Sequence, residues 1–131
     1  MKKSKPKVDS ALAKQIIKLR DDGASYTDII ITTKLSVYRI TRVLKAYKLL
    51  INDDQRKFYF ALLDACVESG MYVQAESILR ALLQAGYLYD DKSIKKLEMM
   101  SNSKILTFHR IGTTSLPIIR FAIDIYNGTS K

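Results

Sequence analysis

Tryptophan is absent from these 131 residues, and cysteine, histidine and proline are scarce, with one Cys, one His and two Pro. The single cysteine, Cys66, excludes an internal disulfide, and its apolar setting in LLDACV makes it a small buried hydrophobe. The single histidine, His109, lies far along the chain from that thiol, so no Cys/His cluster is expected to hold zinc. The five glycines stand singly at turns and build no phosphate-cradling loop. The acidic pairs Asp21-Asp22, Asp53-Asp54 and Asp90-Asp91 all fall at expected helix ends, where capping explains them. Catalysis, a metal and a cofactor are therefore not expected. A long apolar run is also missing. The stretch from Leu116 to Tyr126 is broken by Arg120 and Asp124 and is too short for a bilayer. No apolar run follows the opening lysines, so a secretory signal is not expected and the cytoplasm is the default compartment.

What the chain does have is positive charge, unevenly placed. Residues 1–50 carry 12 Lys+Arg against 4 Asp+Glu (net +8), whereas residues 51–131 carry 10 against 9 (net +1). Concentration of this kind suits a polyanionic partner, because each phosphate neutralised releases condensed counterions. The apolar fraction of 47% and charged fraction of 27% are those of a folded chain, long enough for one domain or two small ones.

The opening KKSKPK reads as a basic, flexible arm over residues 1–8, in which Lys5 and Lys7 can lie along a nucleic-acid backbone. A first helix starts near Asp9 or Ser10 and ends before Gly23, burying Leu12, Ile16, Ile17 and Leu19. Ser25 followed by Asp28 forms a capping-box start for a second helix, with Ile29 and Ile30 inward. The β-branched run Ile29–Thr33 leaves a strand as an alternative there. Lys34 falls where the chain must turn, and Ser36 caps a third helix running to about Leu50.

The third helix sorts its residues by spacing. Ile40, Leu44 and Tyr47 form one stripe, with Val43 and Leu50 at its margin. The opposite side carries Val37, Tyr38, Thr41, Arg42, Lys45 and Lys48, with Arg39 on the flank. Arginine can fork onto guanine acceptors and an apolar group can meet the thymine methyl, while Lys45 and Lys48 suit phosphates. Ser25, Tyr26, Lys34 and Ser36, around the turn, complete the candidate DNA-binding set.

Ser25, Asp28, Ile29, Leu35, Ser36, Ile40, Arg42 and Leu44 together resemble the helix-turn-helix of the homeodomain-like, resolvase and transposase type. The resemblance covers about residues 9–50 and implies a three-helix unit that reads double-stranded DNA with its last helix. Ile30 stands where that pattern has a small residue, and Lys34 stands where its turn has glycine. A lysine at positive φ there costs roughly 1 kcal/mol.

Beyond residue 52 the expected pattern is a further helical part. Asn52-Asp53-Asp54 caps a helix that buries Phe58, Ala61, Leu62, Ala65 and Cys66 and ends at Ser69-Gly70. A second helix turns Val73, Ala75, Ile78, Leu79 and Leu82 inward and ends at Gly86. Residues 58–90 resemble a single pentatricopeptide-type hairpin, which implies an antiparallel helix pair and, without further copies, no solenoid. Asp90 or Asp91 starts a short helix through Met100, with Ile94, Leu97 and Met99 or Met100 for burial. Ser101-Asn102-Ser103 reads as a loop, and residues 104–111 fit helix or strand equally. A last helix from Ser115 buries Ile118, Ile119, Ala122, Ile123 and Tyr126, either as core or as a self-association surface.

The expectation is an all-α protein with a helix-turn-helix domain over 9–51 and a helical dimerisation or partner domain over 52–131. Its expected role is a sequence-specific, dimeric DNA-binding regulator, such as a small repressor or a plasmid or phage maintenance factor. An RNA-binding regulator and a protein-interaction adaptor with a basic face are the alternatives.

Overall fold

The computed structural model describes residues 8–70 and 75–128. All the regular structure among them is helical: α1 (Ser10–Asp21), α2 (Tyr26–Thr33), α3 (Val37–Lys48), α4 (Asp53–Ser69), α5 (Ala75–Ala85), α6 (Asp91–Met99), α7 (Asn102–Ile105) and α8 (Ser115–Asn127). Val73, expected to face inward, lies outside the described residues.

The caps read from sequence set most boundaries. Asp9 accepts from the Leu12 amide, Asn52 from Gln55 and Asp90 from Ser93. Each satisfies an amide that has no partner inside the helix. Gly70 and Gly128 take left-handed φ of 69° and 74° after α4 and α8, a conformation that costs glycine nothing.

α1, α2 and α3 pack against one another, and α4 packs against α1, α5 and most extensively α8. The five apolar residues expected on α8 are all buried within this chain, chiefly over α4, where the Phe58 and Tyr126 rings meet at 5.9 Å. The inner face of α8 is therefore core, and nothing of it remains for self-association. One core cluster runs from Ala13 to Tyr126 without a break at residue 52. Ser10 stitches across that point, donating from its amide (2.8 Å) and hydroxyl (2.7 Å) to the Asp64 carboxylate. Gln55 does so from the other side, accepting from the Ile51 amide and donating to the Leu88 carbonyl.

Two expectations need correction, and one open alternative is decided. The buried stripe of α3 is rotated: Ile40, Val43 and Ala46 are its core, Leu44 and Tyr47 are half-buried, and the helix ends at Lys48. The stripe read from bulky side chains passed over Ala46, whose small size is what allows a neighbour to approach closely. Ser101-Asn102-Ser103 is no loop but the start of α7, with the Ser101 hydroxyl accepting from the Lys104 amide. Residues 104–111 close that short helix and continue as turns rather than a strand, with only Ile105 and Ile111 buried. Single apolar positions separated by polar ones gave no period to decide between the alternatives.

Candidate nucleic-acid interface

The region from Ser25 to Lys48 is built by local chemistry that its sequence spells out. Ser25 Oγ accepts from the Asp28 amide at 3.1 Å while Asp28 Oδ2 accepts from the Ser25 amide at 3.2 Å, a complete capping box. That box holds the β-branched run Ile29–Thr33 in a helix despite its weak intrinsic preference. Thr33 Oγ1 donates back to the Ile29 carbonyl at 2.7 Å and accepts from the Leu35 amide at 3.3 Å, closing the helix end. Lys34 then turns the chain with φ of 61°, donating its amide to the Ile30 carbonyl at 2.7 Å. Leu35 plugs the turn into the core, and Ser36 Oγ accepts from the Arg39 amide to start α3.

The candidate residues fall into distinct groups. Val37, Tyr38, Lys45 and Lys48 are exposed on one side of α3, and Thr41 lies half-buried among them. Lys34, Ser25 and Ser36 are exposed along the turn. Tyr26 is half-buried under the Arg20 guanidinium, 4.7 Å from the ring centroid, and Arg20 is itself pinned to the Ala24 carbonyl at 2.9 Å. Arg39 is half-buried on the flank. Lys5 and Lys7 lie outside the described residues.

Arg42 occupies a different position from the one its spacing suggested. Its Nε lies 3.5 Å from Glu76 Oε1 on α5, and its side chain is only 26% exposed. Its Nη1 donates to the Tyr38 hydroxyl at 3.1 Å, with the guanidinium 5.5 Å from that ring's centroid. The second Glu76 oxygen accepts from the buried Tyr59 hydroxyl of α4 at 2.8 Å. Burial, reinforced by the Glu76 charge and hydrogen bond, pushes the Tyr59 phenol well above its ordinary value. Arg42 thus stands at the edge of the exposed face and fastens α3 to α5, whose Glu76 in turn holds Tyr59 of α4.

Reading the sequence for function missed Glu76 and Tyr59. A signal existed for Glu76, since it sits three positions before Leu79, beside an otherwise apolar stripe of α5. Its partner is a residue 34 positions upstream and follows from packing alone.

The face is cationic, with two lysines that make no hydrogen bond among the described residues beside an exposed tyrosine and valine. Such a surface can meet phosphates and base edges together. Among the described residues no three His, Cys, Asp or Glu side chains group as metal ligands, and no helix is long and apolar enough to cross a membrane. No family model matches the chain, and neither a curated protein nor a solved structure matches it.

Proposed function

We propose that residues 9–51 act as a helix-turn-helix unit that docks on double-stranded DNA with α3 in the major groove. The observation that carries the reading is the face of α3: Val37, Tyr38, Thr41, Lys45 and Lys48 turned outward on a helix whose opposite side is sunk in the core. Val37 and Thr41 offer methyl groups for thymine, and Tyr38 offers a hydroxyl and a ring edge at the groove floor. Lys45 and Lys48, farther along the helix, reach phosphates, as do Lys34 and the Ser25 and Ser36 region at the turn. Arg42 and Arg39 flank this surface, Arg42 holding Tyr38 in place. The basic arm with Lys5 and Lys7 adds electrostatic approach.

A lone unit of this size makes few base contacts, and pairing of two copies through residues 52–131 supplies the rest of the affinity and a two-fold half-site arrangement. Among the described residues of that part, the large apolar side chains left exposed are Tyr89, Met99 and Leu106, so pairing draws on these rather than on the inner face of α8. The role that follows is a small transcriptional repressor or a plasmid or phage maintenance factor.

Competition among duplex DNA, structured RNA and single strands tests the reading. Preference for duplex supports it. Preference for RNA, or no binding to any nucleic acid at moderate salt, hands the basic face to the RNA-binding or adaptor alternative.

A further inference from the structure

A second cluster of positive groups stands apart from α3, in the part of the chain whose net charge is almost balanced. Ser77, Arg80, Ala81 and Gln84 from α5 meet His109 and Arg110, from the turns before α8, around an open cleft of about 270 Å³. Arg80 and Gln84 recur one helical turn apart on the outer side of α5, with Ser77 a turn earlier, so all three stand on one exposed face of that helix. Arg110 has φ of 70°, in the left-handed region that a side chain rarely adopts, and this turn brings His109 and Arg110 to the same cleft.

The charge balance of the cleft is unusual. No carboxylate lines it among the described residues, although two arginines do. The side chains of Arg80, His109 and Arg110 make no hydrogen bond or ion pair with any described residue, which is also true of Arg39 on α3, whereas Arg20, Arg42, Arg56 and Arg120 are engaged. Two like charges brought to one concavity repel each other, and an anion between them removes that cost. The lining supplies several donors to such an anion: two planar guanidinium forks, an imidazole N–H, the Ser77 hydroxyl and the Gln84 amide N–H groups.

We propose that this cleft binds a phosphoryl group, held by Arg80 and Arg110 with His109 and Ser77 as secondary donors. Guanidinium forks match the paired oxygens of a phosphate, and the cleft has room for that group with a small substituent. The phosphate can belong to a nucleic-acid backbone or to a small phosphorylated molecule. Among the described residues, none of those lining the cleft is joined to Val37–Lys48 by a hydrogen bond or ion pair.

His109 is the one histidine of the chain, so its ring resonances report the cleft without assignment ambiguity. Inorganic phosphate titrated into the full-length protein at constant ionic strength is expected to shift them along a saturable curve, while chloride does not. Arg80→Met and Arg110→Gly are each expected to weaken the fitted affinity at least tenfold. Glycine accepts the positive φ at 110, so that variant keeps the fold while losing the charge. Addition of a short duplex to the phosphate-saturated protein then separates the sources. Displacement of phosphate assigns the cleft to a nucleic-acid backbone, and its retention assigns it to a small phosphorylated ligand. A linear response matched by chloride, or undiminished affinity in both folded variants, overturns the site.

Discussion

Arg42 of α3 and Glu76 of α5 approach to 3.5 Å, and the same carboxylate accepts from Tyr59 of α4. The pair joins the most basic stretch of the chain to its near-neutral remainder through a half-sheltered charge contact. Removing Glu76 strands both the Arg42 cation and the Tyr59 hydroxyl.

Glu76→Ala is therefore expected to lower stability by about 2–3 kcal/mol, below the figure for a fully buried pair because Arg42 keeps some solvent. Urea unfolding of Glu76→Ala, Arg42→Ala and the double variant should give a coupling energy of about 1 kcal/mol or more. Additive losses would mean that the two side chains do not interact in solution.

The same contact separates the residues of α3 by role. Lys45→Ala and Lys48→Ala should each weaken binding to all duplex sequences alike and flatten the salt dependence by about one unit. Tyr38→Ala and Val37→Ala should instead narrow the gap between preferred and random duplex, by about 1–3 kcal/mol at a contacted base pair. Identical, sequence-independent losses for all four would mean that α3 reads no bases.

Lys34 takes φ of 61° where glycine would sit without strain. Lys34→Gly should raise stability by up to about 1 kcal/mol in thermal or urea unfolding. The same variant should lose a little duplex affinity through the missing charge. A clear loss of stability would show that the lysine side chain holds the turn.

Arg120 interrupts the apolar sequence of the last helix, and the structure gives it a purpose. Its guanidinium donates to the Leu97, Glu98 and Met100 carbonyls and to Asn102 Oδ1, closing the end of α6 and the start of α7. Arg120→Met keeps the stem but removes these donors and should cost about 2–3 kcal/mol. Amide exchange in residues 97–105 should accelerate in that variant well before exchange in α4 does.

Burial, with help from Glu76, raises the Tyr59 phenol, and burial together with the hydrogen bond to Asp91 raises Tyr126. Both stay protonated in the folded protein at a pH where unfolded tyrosines, at about 10, lose their protons. This contribution to stability is fully present below about pH 10 and falls as the pH rises beyond it. Urea midpoints measured across that range should decline, and Tyr59→Phe should decline less steeply than the unaltered protein.

Much of this was legible from the residues because it is local. The capping box of Ser25 and Asp28, the Ser36, Asn52 and Asp90 caps and the left-handed Lys34 all depend on neighbours within four positions. The outward positions of Val37, Tyr38, Lys45 and Lys48 followed from the helical period. What stayed hidden was long-range. The hold of Glu76 on Arg42, the Asp64 carboxylate on Ser10 and the Gln55 bridge to Leu88 join positions more than 30 apart, which no periodicity encodes. α7 was missed because a four-residue helix carries too little pattern to stand out.

Recognition of duplex DNA by the outer face of α3 is what the proposed role rests on. Selection from a random duplex pool, run in parallel with the unaltered protein and with the Tyr38→Ala, Lys45→Ala, Lys48→Ala triple variant, tests it most directly. An enriched motif is expected for the unaltered protein, with two half-sites if copies pair, and no enrichment for the variant at equal salt. The same motif recovered from both proteins, or none from either, would contradict it.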